Sequence, residues 1–99
     1  MNSNNVPNLP VIIMFSAQWC GPCKNMYPIF EKAAEDFDGK VAFLKVDVDS
    51  DPEKVKAHEV RSVPTFILFK DRSQTEIIDR HMGYMNAEVL EDFISQAIK

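Results

Sequence analysis

The apolar residues of this chain occur in short runs separated by polar turns, and four of these runs predict β-strands. The run over residues 11–15 is nearly continuous, which is typical of a strand buried on both faces of a sheet. Residues 41–46 predict a second buried strand. Residues 65–69 predict a third strand, and residues 76–81 predict a fourth with a weaker pattern. Because only a polar turn separates the last two runs, we expect them to form a hairpin.

Apolar residues also recur at helical spacing, which predicts three helices. The first apolar stripe consists of Met26, Phe30, Ala33, Ala34 and Phe37. Pro28 is expected to kink this helix and Gly39 to end it. Asp51 and Asn86 are the predicted N-caps of a short second helix and of a third. The apolar face of the third helix is expected to consist of Val89, Leu90, Phe93, Ala97 and Ile98. The order β-α-β-α-β-β-α predicts an α/β fold, with a central four-stranded mixed sheet and helices on both faces.

Length and charge narrow the possible functions. The 99 residues are enough for one hydrophobic core, so we expect a single domain over residues 1–99, with residues 1–9 as a polar arm. A net charge of −4 argues against a nucleic-acid partner, which needs clustered Lys and Arg. No apolar run approaches the roughly 20 residues of a membrane span. The first ten residues do not resemble a signal peptide, so we expect a cytoplasmic protein without membrane association.

The cysteine content, Cys20 and Cys23, is the strongest chemical signal in the chain. A structural disulfide between them would add little stability, because the entropic effect of a disulfide grows with the length of the loop that it closes. A zinc site needs four ligands, and the spacing of the remaining candidates, His58 and His81, matches no zinc-binding pattern. The pair is therefore predicted to be redox-active, with no metal and no cofactor beyond its own disulfide.

The residues around this pair resemble the active site of the thioredoxin family. Residues 19–24 (WCGPCK) follow a predicted buried strand and open a helix. Residues 63–65 (Val-Pro-Thr) resemble the cis-proline loop of the family. Lys45 stands where the family usually has a buried lysine, and Gly83 where it has a glycine beside the active site. The resemblance covers residues 10–99 and implies a minimal thioredoxin fold.

The resemblance implies a thiol–disulfide oxidoreductase that reduces protein disulfides through a Cys20/Cys23 cycle. Since Cys20 precedes the first helix, free amide groups at the helix N-terminus can stabilise its thiolate, which makes Cys20 the attacking thiol and Cys23 the resolving one. The implied partners are disulfide-containing substrate proteins and an electron donor that resembles thioredoxin reductase. The implied substrate-binding residues are Trp19, Gly21, Pro22, Val63, Pro64 and Gly83.

The sequence alone leaves alternative interpretations open for three of these residues and for the function. Trp19 is also compatible with the core, Pro64 with an ordinary trans bond, and Lys45 with a solvated sheet edge. A protein-docking module that does not use its thiols, and a more oxidising oxidase or isomerase, remain alternative functions.

The chain departs from the family pattern in several places. Met14 occupies the position of a buried aspartate that assists proton transfer, and Asp47, on the same strand face as Lys45, is a possible substitute. Residues 62 and 84 are serine and tyrosine where small residues are typical, and the hairpin turn lacks its usual glycine. The family's first β-α unit has no counterpart, so residues 41–46 would form a sheet edge. Its flanking charges and the arm are expected to keep the protein mostly monomeric, with weak dimerisation through that edge.

Overall fold

The computed structural model describes residues 8–99, which form a four-stranded sheet with three α-helices. The strands are Val11–Ser16 (β1), Ala42–Asp47 (β2), Thr65–Phe69 (β3) and Ile77–Met82 (β4). The helices are Gly21–Asp36 (α1), Pro52–Ala57 (α2) and Ala87–Ser95 (α3), and a short 3₁₀ helix, Gln96–Ile98, follows. The predicted order of elements and the α/β fold class are confirmed. Within the described range, no helix has both the length and the apolarity needed to cross a membrane.

The strand order in the sheet is β2-β1-β3-β4, with β1 parallel to β2 and antiparallel to β3. The two central strands, β1 and β3, are buried along their whole length, as predicted for β1. The prediction that residues 41–46 form a buried strand is wrong, since Leu44 in β2 is 42% exposed. The physical reason is position: in the sheet that residues 8–99 form, β2 is an outer strand with a partner on one side.

Helices cover both faces of the sheet, as predicted. Because side chains alternate along β1, Ile12 and Met14 face α1 and α3, whereas Ile13 and Phe15 face the side of α2. On the first face α3 contributes Leu90, Phe93 and Ile94. Two residues predicted for the apolar face of α3, Val89 and Ile98, are instead exposed. The helix is rotated so that Ile94 takes the inward position, and Ile98 belongs to the 3₁₀ helix.

The predicted arm lies mostly outside the described residues. Its described end runs beside the strands: the Asn8 side chain accepts a hydrogen bond from the Arg72 backbone N–H in the β3–β4 turn, at 3.3 Å. The carbonyl oxygen of Pro10 accepts one from the N–H of Ala42, at 2.8 Å. Asn8 therefore contacts the hairpin turn and not the outer edge of β2.

Both histidines, His58 and His81, are partly buried. The His58 ring lies 6.0 Å from the ring of Phe15 and 5.3 Å from that of Phe69. Burial lowers the pKa of His58 from its ordinary value of 6.5, and the positive charges of Lys54 and Arg80 lower it further. The neutral ring is therefore the form that the fold favours.

This environment makes stability depend on pH. Below pH 6.5 the unfolded chain binds a proton at His58 more readily than the folded chain does, so the free energy of unfolding falls as the pH drops. We expect the wild type to lose more stability between pH 8 and pH 5 than His58→Gln does, measured by urea unfolding at both values. Equal losses in the two proteins would contradict this assignment.

Glu59, two residues after the end of α2, has a backbone conformation that favours glycine, with φ +55°. We expect Glu59→Gly to raise the free energy of unfolding by about 0.5–1 kcal/mol, because relief of the strained φ exceeds the added entropy of the unfolded chain. Glu59→Gln is the matched control, since it removes the charge and keeps the strain. A gain of the same size in both variants would mean that the charge, and not the backbone, is responsible.

Candidate active site

The two cysteines lie at the N-terminus of α1. Cys20 is the N-cap, with an extended backbone (φ −93°, ψ 112°), and its sulfur accepts a hydrogen bond from the backbone N–H of Cys23 at 3.1 Å. Pro22 lies in the first turn, where a missing N–H costs the helix nothing. The loop before the helix is closed by a hydrogen bond from the Cys20 N–H to the Ala17 carbonyl oxygen, at 3.1 Å.

Cys20 and Cys23 form a disulfide with a Cα–Cα distance of 5.3 Å, so the structure represents the oxidised state. Cys23 is fully buried, and Cys20 is 5% exposed. Gly21 and Pro22, between them, are exposed. The exposed surface next to the buried sulfurs is therefore formed by Gly21 and Pro22.

Trp19 stands at the surface beside the disulfide. Its side chain is 70% exposed, which excludes the core position that the sequence left open. Its indole N–H donates to a carboxylate oxygen of Asp49 at 3.0 Å, which fixes the orientation of the ring. An apolar groove of about 170 Å³ lies next to this ring; it is lined by Trp19, Val48, Val55, Val60, Arg61, Ser62 and Val63.

The Val63–Pro64 bond is cis, and the loop that contains it packs against the disulfide. Val63 contacts the buried cluster of Ala17, Cys20 and Cys23. The carbonyl oxygen of Pro64 accepts a hydrogen bond from the N–H of Gly83 at 2.8 Å. Gly83 has φ +102°, a conformation that residues with a side chain rarely adopt. The fold thus gathers all six predicted substrate-binding residues around the cysteine pair.

Lys45 and Asp47 lie on β2, next to this region, and the environment of Lys45 differs from that implied by the resemblance. Lys45 is half-exposed and forms an ion pair with Glu31 at 3.3 Å, with its ammonium group 5.4 Å from the centre of the Tyr27 ring. The buried lysine implied by the resemblance is therefore wrong here, and the sheet edge of β2 explains the difference. The Asp47 carboxylate accepts hydrogen bonds from the Asp49 N–H at 3.0 Å and from the Ser50 hydroxyl at 3.2 Å.

A polar cavity of about 250 Å³ opens between α1 and the ends of β1 and β2. It is lined by Ser16, Ala17, Gln18, Tyr27, Lys45 and Asp47. Ala17 also belongs to the buried cluster that contains Cys23, so a single residue links the cavity to the disulfide. The hydroxyl of Tyr27 donates to that of Ser16 at 3.4 Å.

Sequence reasoning missed Ser16 and Tyr27. The signal for Tyr27 is its position four residues after Cys23, on the same helical face. Met14 lies two residues before Ser16, on the same face of β1, and is fully buried in the apolar core. Within residues 8–99, no group of three His, Cys, Asp or Glu side chains is placed to hold a metal ion.

Comparison with known proteins agrees with this geometry. The family profile named Thioredoxin matches residues 3–96. The thioredoxin of Staphylococcus saprophyticus is 40% identical over 93 residues, which cover 94% of this chain and 86% of that protein. The thioredoxin of Rickettsia conorii is 37% identical over 91 residues, covering 92% and 84%.

Solved structures give the same result. The oxidised mitochondrial thioredoxin 3 of Saccharomyces cerevisiae superposes with a TM-score of 0.77 at 40% identity, covering 89% of this chain and 78% of that one. Chloroplastic thioredoxin z superposes with a TM-score of 0.80 at 26% identity, covering 97% and 84%. A cysteine pair at a helix N-terminus, within this fold and at this level of identity, shows that the chain belongs to the thioredoxin family and is a thiol–disulfide oxidoreductase.

Proposed function

We propose that this protein reduces disulfides of other proteins with Cys20 as the attacking thiol and Cys23 as the resolving thiol. The observation that carries this assignment is the position of the Cys20 sulfur, which accepts the Cys23 N–H at the N-terminus of α1. Unpaired amide groups and the helix dipole favour negative charge there, and the thiolate is the reactive form of cysteine.

In the reduced protein the Cys20 thiolate attacks one sulfur of the substrate disulfide. A mixed disulfide forms, and the other substrate sulfur leaves as a thiolate and takes up a proton. Cys23 then loses its proton and attacks the Cys20 sulfur, which releases the second substrate thiol. Two electrons have passed to the substrate, and the Cys20–Cys23 disulfide remains. The burial of Cys23 suits this second step, because it keeps the thiol away from substrates other than the one already bound to Cys20.

The substrate is proposed to bind over Trp19, Gly21, Pro22, Val63, Pro64 and Gly83. Val63 lies two residues before β3 begins, so an extended substrate segment can pair with its backbone as an additional strand does. The open groove beside Trp19 suits such a segment better than it suits a small ligand, which needs a more enclosed pocket.

Asp47 is proposed to accept the proton of Cys23 through water in the polar cavity, with Lys45 adjusting the charge around it. A cavity of about 250 Å³ has room for several water molecules, and its lining offers them hydroxyl, carboxylate and ammonium groups. Met14 offers no proton acceptor on this face of the sheet.

Turnover requires a donor that returns two electrons to the Cys20–Cys23 disulfide. We propose a protein dithiol donor similar to thioredoxin reductase, and a cytoplasmic location in which such a donor keeps the pair reduced.

The protein is proposed to be mostly monomeric, with weak pairing between copies through residues 41–46. Sedimentation equilibrium over a concentration series tests this oligomeric state, and a tight dimer would overturn it.

Two measurements test the proposed function. Brief alkylation of the reduced protein with iodoacetamide, followed by peptide mapping, should label Cys20 before Cys23. In an insulin-reduction assay the wild type should be active and Cys20→Ser inactive. Preferential labelling of Cys23 would reverse the two roles, and activity in Cys20→Ser would exclude the cycle.

A further inference from the structure

Ser16 is one of two polar side chains that are buried in residues 8–99, and it ends a strand that is otherwise apolar. The other, Thr65, donates to the backbone carbonyl oxygen of Ser62, three residues earlier, at 2.6 Å. Ser16 instead accepts a hydrogen bond from the side-chain hydroxyl of Tyr27 in α1, at 3.4 Å. Two hydroxyl groups therefore meet at the wall of the polar cavity that both residues line.

This hydroxyl pair faces the same cavity as the carboxylate of Asp47. Ser16 and Asp47 are register partners on the parallel strands β1 and β2, so their side chains leave the sheet on the same face. The ammonium group of Lys45 lies 5.4 Å from the centre of the Tyr27 ring, a cation–π contact that favours this position of the ring. The two hydroxyls and the carboxylate thus border one space of about 250 Å³, which has room for water.

The pair also lies next to the buried thiol. Tyr27 follows Cys23 by four residues in α1, so the two side chains are neighbours on one helical face. Ser16 directly precedes Ala17, which packs against Cys23. Because Cys23 is fully buried, its proton can leave only through the groups around it. The aliphatic members of its cluster offer no side-chain proton acceptor; they are Ala17, Val48 and Val63.

The direction of the hydrogen bond determines how the pair can hold water. Tyr27 gives its one hydroxyl hydrogen to Ser16, so the Tyr27 oxygen is left to accept a hydrogen bond from a water molecule. Ser16 keeps its own hydrogen and can donate it to the same water. A water held in this way has a fixed orientation, with one hydrogen and one lone pair still available. These two sites suit an acceptor such as Asp47 and a donor such as the Cys23 thiol.

We propose that Ser16 and Tyr27 are positioning residues for the second step of the cycle, in which they orient the water that takes the proton of Cys23 and passes one to Asp47. The S–H bond of Cys23 breaks as the water gains that proton. A different O–H bond of the water breaks as the Asp47 carboxylate is protonated. The electron pair left on the Cys23 sulfur then attacks the Cys20 sulfur of the mixed disulfide. This inference rests on the proposed roles of Cys23 and Asp47.

The titratable groups that face the cavity come from two elements. Helix α1 contributes Tyr27, and β2 contributes Lys45 and Asp47, of which Lys45 is paired with Glu31 at 3.3 Å. The lining residues from β1 and the loop after it carry no charge. Removing the Ser16 hydroxyl therefore changes no charge near Cys23, and a changed pH profile in that variant reports on the water route.

A pH jump on a preformed mixed disulfide tests the pair. Reduced protein reacts with 2,2′-dipyridyl disulfide at acidic pH, which releases one thiopyridone and leaves the other on Cys20. A jump to higher pH then releases the second thiopyridone as Cys23 attacks, and absorbance follows it. At neutral pH we expect Tyr27→Phe and Ser16→Ala to release it about tenfold more slowly than the wild type, a fraction of what a positioned base contributes.

The pH profile separates positioning from packing. At alkaline pH, where Cys23 is already a thiolate, the rates of both variants should converge with that of the wild type. The double variant should be no slower than either single variant, because both hydroxyls act on one water. Tyr84→Phe is the matched control, since it removes the same group from a tyrosine that is 50% exposed and outside the cavity, and it should follow the wild-type profile.

The remaining outcomes count against one proposal or the other. Equal slowing at every pH in Tyr27→Phe and Ser16→Ala would overturn the positioning role, because a packing defect does not depend on the protonation of Cys23. Unchanged rates, or slowing in only one of the two, would overturn it as well. If the wild type released no second thiopyridone, Cys23 would not be the resolving thiol, and the proposed function itself would fail.

Discussion

Replacing Cys23 with serine is expected to convert the protein from a catalyst into a variant that stays covalently bound to its substrates. Cys20 keeps its position at the N-terminus of α1 and still attacks, but no second thiol is present to release it. Insulin reduction should fall by about a thousandfold or more, as when other catalytic nucleophiles are removed. Mixed disulfides should accumulate, and non-reducing electrophoresis followed by peptide mapping should place them at Cys20.

Cys20→Ser is the matched control for this experiment. It removes a sulfur of the same size from the same loop and should form no mixed disulfides, because the remaining Cys23 is fully buried. Comparable adducts in both variants would show that burial does not separate the two thiols and that their roles are shared.

Replacing Met14 with aspartate is expected to speed the resolving step and to lower stability. Met14 is fully buried, its register partner on β2 is Lys45, and Ser16 of the polar cavity lies two residues further along the same strand face. By the resemblance to the family, a carboxylate at this position is expected to accept the proton of Cys23. Its burial should lower the free energy of unfolding by about 3 kcal/mol, which a reoriented Lys45 would offset in part.

The rate is measured as decay of a preformed mixed disulfide, and the stability by urea unfolding. Met14→Asn separates the two effects, because it introduces a polar group of the same shape that accepts no proton at neutral pH. Asp47→Asn tests the alternative acceptor in the wild-type background. If Met14→Asp left the decay unchanged while Asp47→Asn slowed it, Asp47 would be the working base and the argument from Met14 would be wrong.

The elements and the cysteine pair could be predicted because their signals are local. The N-caps Asp51 and Asn86 accept hydrogen bonds from the N–H groups of Lys54 and Val89, as their sequence positions suggest. The WCGPCK segment is contiguous, so one stretch of sequence contains both thiols and the helix terminus beside them. The contact of Gly83 with Pro64 joins residues far apart in the chain, and only the family resemblance pointed to it.

The features that the sequence did not predict depend on neighbouring strands and helices, which the local sequence does not specify. The apolar residues of β2 alone fit a buried strand equally well. Only the family resemblance indicated the edge position, which the strand order confirms and which leaves Lys45 exposed. The partial burial of His58 could not be predicted, because the rings that pack against it, Phe15 and Phe69, come from two strands distant in the sequence. The polar cavity is formed by β1, α1 and β2 together, so no single stretch of sequence could reveal it.

The short helix α2 has a consequence for how the protein moves. None of its six residues is buried, whereas β3, which anchors the other side of the site, is buried throughout. Segments with few buried contacts open locally at low free energy, so the amides of α2 should exchange with solvent far sooner than those of β1 and β3. Val55 of α2 lines the groove beside Trp19, while Pro64 directly precedes β3. We therefore expect the surface around the disulfide to yield more easily on the side of Trp19 than on the side of Pro64, which hydrogen exchange of α2 and β3 would show as faster exchange in α2.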